Sequence, residues 1–134
     1  MKVIVDTDVW SEAFRKRGEK SLYLAELKTL IEESRVELLG VVKLEILCGI
    51  RDRLVFDRIA KSLSPFPTHA MTSEVFFTAA EFFNTCRSKG IQGSNNDFLS
   101  CAASALWGLP ILTKDQDFKR YQKHLPISLA SSRK

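Results

Sequence analysis

Two short apolar segments, each followed closely by an acidic residue, constrain the fold of this chain more than any other feature. The segment Val3-Ile4-Val5 runs directly into Asp6, and the segment 109–112 is followed three residues later by Asp115. Short apolar runs that alternate with helical patterns are typical of buried parallel strands in α/β proteins. Ligands bind at the carboxyl ends of such strands, which is where both carboxylates would lie.

The remaining pattern alternates helix and strand signals. It predicts strands at 2–6, 36–39, 110–112 and 127–129, helices at 20–34, 41–48, 52–63, 73–89 and 94–107, and short helices after Asp6 and Asp115. No linker or repeat divides the sequence. We therefore expect 1–134 to form one α/β domain, with a mainly parallel sheet of about four or five strands between helical layers.

Composition narrows the class of protein. The chain has 134 residues, 45% of them hydrophobic and 27% charged, as in ordinary globular domains. No apolar stretch approaches the length of a membrane span, which predicts a cytoplasmic protein. Cys48, Cys86 and Cys101 are odd in number and lack metal-site spacing, so we expect buried free thiols.

Two further acids, Glu45 and Asp97, lie in helical segments. Glu45 stands in an apolar helix that we expect to be largely buried, where a carboxylate is costly unless it is paired or bound to metal. Asp6 and Asp115 could instead cap the helices that follow them, and Asp97 could form a capping box with Ser94. Helix caps leave Glu45 unexplained, whereas one metal site made of all four acids accounts for each.

The donor chemistry selects the cation. Carboxylates without accompanying His or Cys favour hard ions such as Mg²⁺ or Mn²⁺. His69 and His124 lie outside the acidic segments and are predicted to be surface residues. Neutralising four acids would leave 20 basic against 12 acidic side chains, a balance that suits a polyanion. The alternative for each basic cluster is a solvated helix face.

Four blocks carry a family resemblance, and they follow one another in order over nearly the whole chain. They are 3–10 with Asp6, 41–49 with Glu45, 97–102 with Asp97, and 112–118 with Asp115. These blocks resemble the motifs of PIN-domain ribonucleases, specifically the VapC-type toxins of toxin–antitoxin pairs. The resemblance implies a PIN-like three-layer fold and a metal-dependent endoribonuclease.

The resemblance also implies roles for individual residues. Asp6, Asp97 and Asp115 would bind Mg²⁺ or Mn²⁺, and Glu45 would complete the site and hold the attacking water, so that all four are catalytic. The supporting residues would be Thr7, Asp8, Thr113 and Asp117. Apart from the resemblance, the positive charges of Arg15, Arg17 and Lys114 suggest contacts with RNA phosphates on either side of the scissile bond. Asp8 departs from the Ser or Asn that is more usual in the family, and Asn95 replaces an acid that many relatives carry.

The implied partners are an RNA substrate, a cognate antitoxin and a second copy of the chain, with no membrane. Two other functions stay open. A PIN domain could bind RNA or a protein without cutting it. Asp6-Thr7-Asp8-Val9 also satisfies the signature of haloacid-dehalogenase-type phosphohydrolases, although that signature leaves Glu45 and Asp97 unexplained.

Overall fold

The structure, a computed structural model, describes residues 1–15 and 21–131. The described residues form three strands and seven helices. In chain order these are β1 (Val3–Val5), α1 (Thr7–Arg15), α2 (Leu22–Glu32), β2 (Val36–Glu37), α3 (Gly40–Leu47), α4 (Arg53–Leu63), α5 (Ser73–Ser88), α6 (Asn95–Trp107), β3 (Ile111–Leu112) and α7 (Asp117–Gln122).

The sheet has the order β2-β1-β3, and both strand pairs are parallel. Ile4 lies in register with Glu37 on one side and with Ile111 on the other. All three residues of β1 are buried. A central parallel strand covered by helices on both faces needs apolar side chains on both, which explains why Val3-Ile4-Val5 does not alternate with polar residues.

The sheet is narrower than the predicted four or five strands. In place of a strand at 127–129, the described residues show a single parallel bridge between Ile111 and Leu129. The Ile127 amide donates to the Leu125 carbonyl at 2.8 Å, so the chain is tightly turned just before the bridge. β2 is also short, because Leu39 already serves as the N-cap residue of α3.

The helices begin and end close to where the sequence predicts. The side chains of Ser21, Asp52 and Ser94 accept amide hydrogen bonds at the starts of α2, α4 and α6. Thr72 stands at the N-cap position of α5 but makes no side-chain hydrogen bond there. Gly108 ends α6 at φ +66°, a left-handed conformation that favours glycine.

Two predictions about burial are wrong. α3 is not largely buried, because it packs only one side, with Val41, Val42 and Ile46, against the core, while Leu44 is 62% exposed. Cys48 is exposed at the end of that helix. The other two cysteines are buried, and all three are free thiols.

A buried carboxylate on the edge strand has a histidine partner. Glu37 is 1% exposed, and its Oε2 lies 2.7 Å from His69 Nδ1. The His69 ring also packs on Trp107, with 4.7 Å between ring centroids. His69 is thus exposed as predicted, yet it ties the segment between α4 and α5 to the sheet. In the part of the chain that the structure describes, no helix has the length and apolarity needed to cross a bilayer.

Candidate metal centre

The site begins where two neighbouring strands end. β1 is followed by Asp6 and β3 by Thr113, and the Asp6 amide donates to the Leu112 carbonyl at 2.9 Å. The Thr113 hydroxyl then donates to Asp6 Oδ2 at 2.7 Å. The parallel pairing of the two strands therefore delivers Asp6 and the segment after β3 to the same edge of the sheet.

Asp8 joins this edge from the first turn of α1. Its two carboxylate oxygens accept the Lys114 amide at 3.2 and 3.1 Å, and one of them lies 3.4 Å from the Thr113 hydroxyl. Thr113 Oγ1 in turn accepts the Asp115 amide at 3.0 Å. One threonine hydroxyl therefore links Asp6, Asp8 and the backbone of Asp115.

Glu45 is connected to the same cluster through Thr7. The Thr7 hydroxyl donates to Glu45 Oε1 at 2.8 Å, and the Thr7 amide donates to Asp6 Oδ1 at 2.9 Å. Glu45 is half-buried on α3 rather than enclosed in an apolar core. Its burial alone is therefore weaker support for a metal site than the sequence suggested. Its connection to the cluster is the hydrogen bond to Thr7, whose amide also bonds Asp6.

Asp97 enters from the first turn of α6. Its amide donates to the capping Ser94 hydroxyl at 3.1 Å, so the predicted Ser94 cap is present. Its carboxylate Oδ2 accepts the Tyr121 hydroxyl at 2.8 Å. Tyr121 is fully buried, and a side chain at Gly93 would collide with its hydroxyl and ring. The cap uses the Asp97 backbone, which leaves the carboxylate available to the site.

Asp115 combines a local structural role with its place in the cluster. Its Oδ1 accepts the Asp117 amide at 2.9 Å at the start of α7. The Asp117 carboxylate lies 3.5 Å from Arg120 on the surface. Asp117 therefore supports Asp115 through its backbone.

The acids affect one another electrostatically. Burial raises the pKa of Asp6 from 3.8 to about 7, and the negative charges of Asp8 and Asp97 add to this, against the lowering effect of the Thr113 hydrogen bond. Burial also raises the pKa of Asp97, with contributions from Asp115 and Glu45 and an opposing hydrogen bond from Tyr121. The pKa of Asp8 is raised by burial and by Asp115.

The donor set fits a hard divalent cation, although the carboxylates do not enclose one. Among the described residues, no three Asp, Glu, His or Cys side chains converge closely enough to hold a metal ion in this arrangement. Oxygen donors alone, with raised pKa values at Asp6, Asp8 and Asp97, are the chemistry that Mg²⁺ and Mn²⁺ satisfy.

The predicted RNA-binding residues have different surroundings. Lys114 Nζ is paired with Glu12 of α1, whose side chain is 5% exposed. Its charge is thus matched by a buried carboxylate. Arg15 is exposed at the end of α1, and Arg17 lies outside the described residues.

Two supporting residues, Glu12 and Tyr121, were not predicted from the sequence. Glu12 lies three residues after the buried Val9 on α1, so a charge on the apolar side of a helix was a usable signal. Tyr121 carried no such signal, since a tyrosine three residues after the buried Phe118 looks like an ordinary core residue. Its hydrogen bond to Asp97 depends on how α6 and α7 meet.

The order and spacing of these acids can be compared with known families. The family model described as the PIN domain matches residues 3–124. The chain belongs to the PIN domain family. The matched region includes the segments around Glu45 and Asp97, which the phosphohydrolase signature does not explain, and it ends beyond α7.

Curated relatives match over nearly the full length. A VapC ribonuclease of Mycobacterium bovis is 27% identical over 98% of this chain and 99% of the relative. Ribonuclease VapC11 of Mycobacterium tuberculosis matches with the same identity and coverage.

Solved structures of two complexes share the fold of this chain. VapBC2 of Rickettsia felis, bound to a promoter DNA fragment, has a TM-score of 0.79 at 17% identity, over 97% of this chain and 98% of the matched chain. FitAB bound to the IR36 DNA fragment has a TM-score of 0.77 at 18% identity, over 96% and 93%. The predicted PIN-like α/β fold is therefore confirmed, with a smaller sheet than expected.

Proposed function

We propose that this protein is a metal-dependent endoribonuclease and the toxin of a toxin–antitoxin pair. The near full-length similarity to VapC ribonucleases supports RNA as the substrate. The acidic cluster at the carboxyl edge of the sheet supports hydrolysis of phosphodiester bonds with the help of Mg²⁺ or Mn²⁺.

One observation carries the metal requirement. Asp6 is hydrogen-bonded within the cluster, yet burial and the neighbouring carboxylates raise its pKa to about 7. The Lys114 ammonium group is paired with Glu12, and although its charge lowers the pKa of Asp8, burial and Asp115 keep that pKa above its ordinary value. The cluster therefore gains stability when a divalent cation neutralises it.

The proposed roles follow from position. Asp6, Asp97 and Asp115 would hold the cation, which would supply positive charge to the scissile phosphate and activate water. Glu45 would orient the attacking water and accept its proton, with Thr7 fixing the carboxylate through its hydroxyl. Thr113 would keep Asp6 and Asp8 in place.

The test is cleavage of a panel of structured RNAs by the purified protein with Mg²⁺, with Mn²⁺ or with EDTA. Metal-dependent cutting that is lost in Asp97→Asn and retained in the exposed Asp57→Asn supports the proposal. Calorimetric titration of Mg²⁺ should accompany the assay. A wild-type protein that binds no divalent cation would overturn the metal-dependent mechanism and favour a PIN domain that binds RNA or protein without cutting.

We also propose an antitoxin partner and a homodimer. Several large apolar side chains are exposed, namely Leu44, Leu54, Phe76 and Phe77. Exposed apolar groups of this size are suited to protein contacts. Light scattering of the protein alone and with the product of a neighbouring gene tests both partners; a monomer that binds no such product would contradict them.

A further inference from the structure

A groove runs away from the acidic cluster along α7. It has a volume of about 730 Å³ and shares Thr113 and Asp115 with the cluster. Its walls come from the first turn of α2 and from α7, and residues 129–131 close one side. The groove is therefore continuous with the edge at which the acids meet.

The side chains that line the groove combine positive charge, an aromatic ring and amides. Lys119 and Lys123 both line it and are exposed, and neither forms an ion pair with another described residue. They stand one helical turn apart, about 6 Å along the axis. Tyr23 lines the opposite wall and is half-buried against the core, which fixes the position of its ring.

We propose that this groove, called here the α7 groove, is the subsite for the RNA strand on one side of the scissile phosphate. Lys119 and Lys123 contact consecutive phosphates, and a base stacks on the Tyr23 ring. The inference rests on the proposed ribonuclease function and adds to it the path of the substrate.

The charge pattern favours RNA over a protein segment here. A basic protein segment directed at the carboxylates would meet the repulsion of two lysines that form no ion pair within residues 1–15 and 21–131. A single-stranded polyanion gains from those lysines, and an aromatic platform accepts any base, because every base offers a π face. Gln116 and Gln122 add hydrogen-bonding groups along the same groove.

Binding is best measured in a host that does not cut. We would use Asp97→Asn with Mg²⁺ and a short fluorescent single-stranded RNA pool of random sequence, and record anisotropy at increasing salt. The test variants are Lys119→Gln with Lys123→Gln, Tyr23→Leu and Tyr23→Phe. The matched control is Lys61→Gln with Lys89→Gln. It removes the same charge from two exposed positions outside the groove, one within α4 and one just after α5.

Lys119→Gln with Lys123→Gln should bind the RNA more weakly than the control does. The magnitude of the slope of log K for RNA binding against log salt should fall by about 0.7 for each phosphate that is no longer neutralised. Tyr23→Leu should weaken binding about five- to a hundredfold while Tyr23→Phe keeps it, since stacking needs the ring. In the cutting protein, the same lysine changes should raise KM more than they lower kcat. Thermal unfolding checks that each variant is folded.

The failures of the two proposals are distinguishable. Cleavage by the wild type, together with equal RNA binding by the groove variants and their control, would overturn the groove and leave the ribonuclease function standing. A host protein that binds no RNA, beside a wild type that cuts none, would overturn both. Loss of binding to a protein partner in the groove variants, with RNA binding intact, would also overturn the RNA subsite.

Discussion

The two sides of the acidic cluster are held by different means. On the strand side, Asp6 and Asp8 are fixed by Thr113 and by backbone amides that directly follow β1 and β3. On the helix side, Asp97 receives one buried hydroxyl from Tyr121. The parallel pairing of β1 with β3 thus holds the strand side together, whereas the helix side depends on the contact between α6 and α7.

The largest effect should come from removing a carboxylate charge on the helix side. Asp97→Asn can still accept the Tyr121 hydrogen bond but loses a metal ligand, so we expect at least a hundredfold loss of metal-dependent cleavage. The melting temperature of the metal-free protein should rise, because one repulsive charge is gone. Cleavage assays measure the loss of activity, and scanning calorimetry measures the melting temperature. A variant that cuts like the wild type would remove Asp97 from the site.

Removing the hydroxyl that supports Asp97 should have the next largest effect. Tyr121→Phe keeps the ring in the core and should weaken Mg²⁺ binding or cleavage about ten- to a hundredfold. Gly93→Ala should act in the same direction by displacing Tyr121. Titration of Mg²⁺ gives a readout apart from activity.

The control for Tyr121→Phe is Ser104→Ala. It deletes another buried hydroxyl, which donates to the Leu109 carbonyl at 2.6 Å. This hydrogen bond lies outside the acidic cluster. Equal Mg²⁺ affinities in Tyr121→Phe and in Ser104→Ala would mean that Tyr121 only fills space.

Deleting the Thr7 hydroxyl, which directly follows the strand side, should matter less, because it removes one hydrogen bond to the half-buried Glu45 and none to Asp6. Thr7→Val removes the hydrogen bond to Glu45 and keeps the Thr7 amide on Asp6, so we expect about a tenfold loss of kcat or less. Thr85→Val, at an exposed position of α5, is the matched control. A loss larger than that of Tyr121→Phe would reverse the comparison between the two sides.

The smallest effect concerns the pH dependence of stability without metal. Asp6 has a folded-state pKa of about 7 against 3.8 in the unfolded chain, so the folded state binds more protons between these values. The free energy of unfolding should therefore fall as pH rises from 4 to 7, on the order of 1 kcal/mol once relaxation of the site is allowed for. Asp6→Asn or added Mg²⁺ should flatten the fall in thermal unfolding curves. An unchanged slope in Asp6→Asn would assign the pH dependence to other groups.

The sequence predicted the positions of Asp6 and Asp115 at the ends of their strands. Asp6 and Asp115 were predicted from the strands that precede them, and parallel pairing brings their segments together. The strands themselves were overestimated in number, because the turn before Leu129 reduces a predicted strand to one bridge. Short edge strands depend on tertiary hydrogen bonds that a sequence pattern does not specify.

The support of Asp97 on the helix side and the pairing of charged side chains were harder to predict. The residue types of Tyr121 and Gly93 do not indicate a contact between them, and the Lys114–Glu12 pair joins segments far apart in sequence. The burial expected for Glu45 was too high, since one face of α3 is exposed. The roles of the four acids stay predictions until the variants are measured.

The close fit between Gly93 and Tyr121 has an evolutionary consequence. A relative with any side chain at position 93 must carry a smaller residue at 121, or shift α7, and it then loses the hydroxyl on Asp97. The two positions should therefore co-vary among close homologues, with tyrosine at 121 found only beside glycine at 93. Lineages without this pair would need another hydrogen-bond donor for Asp97.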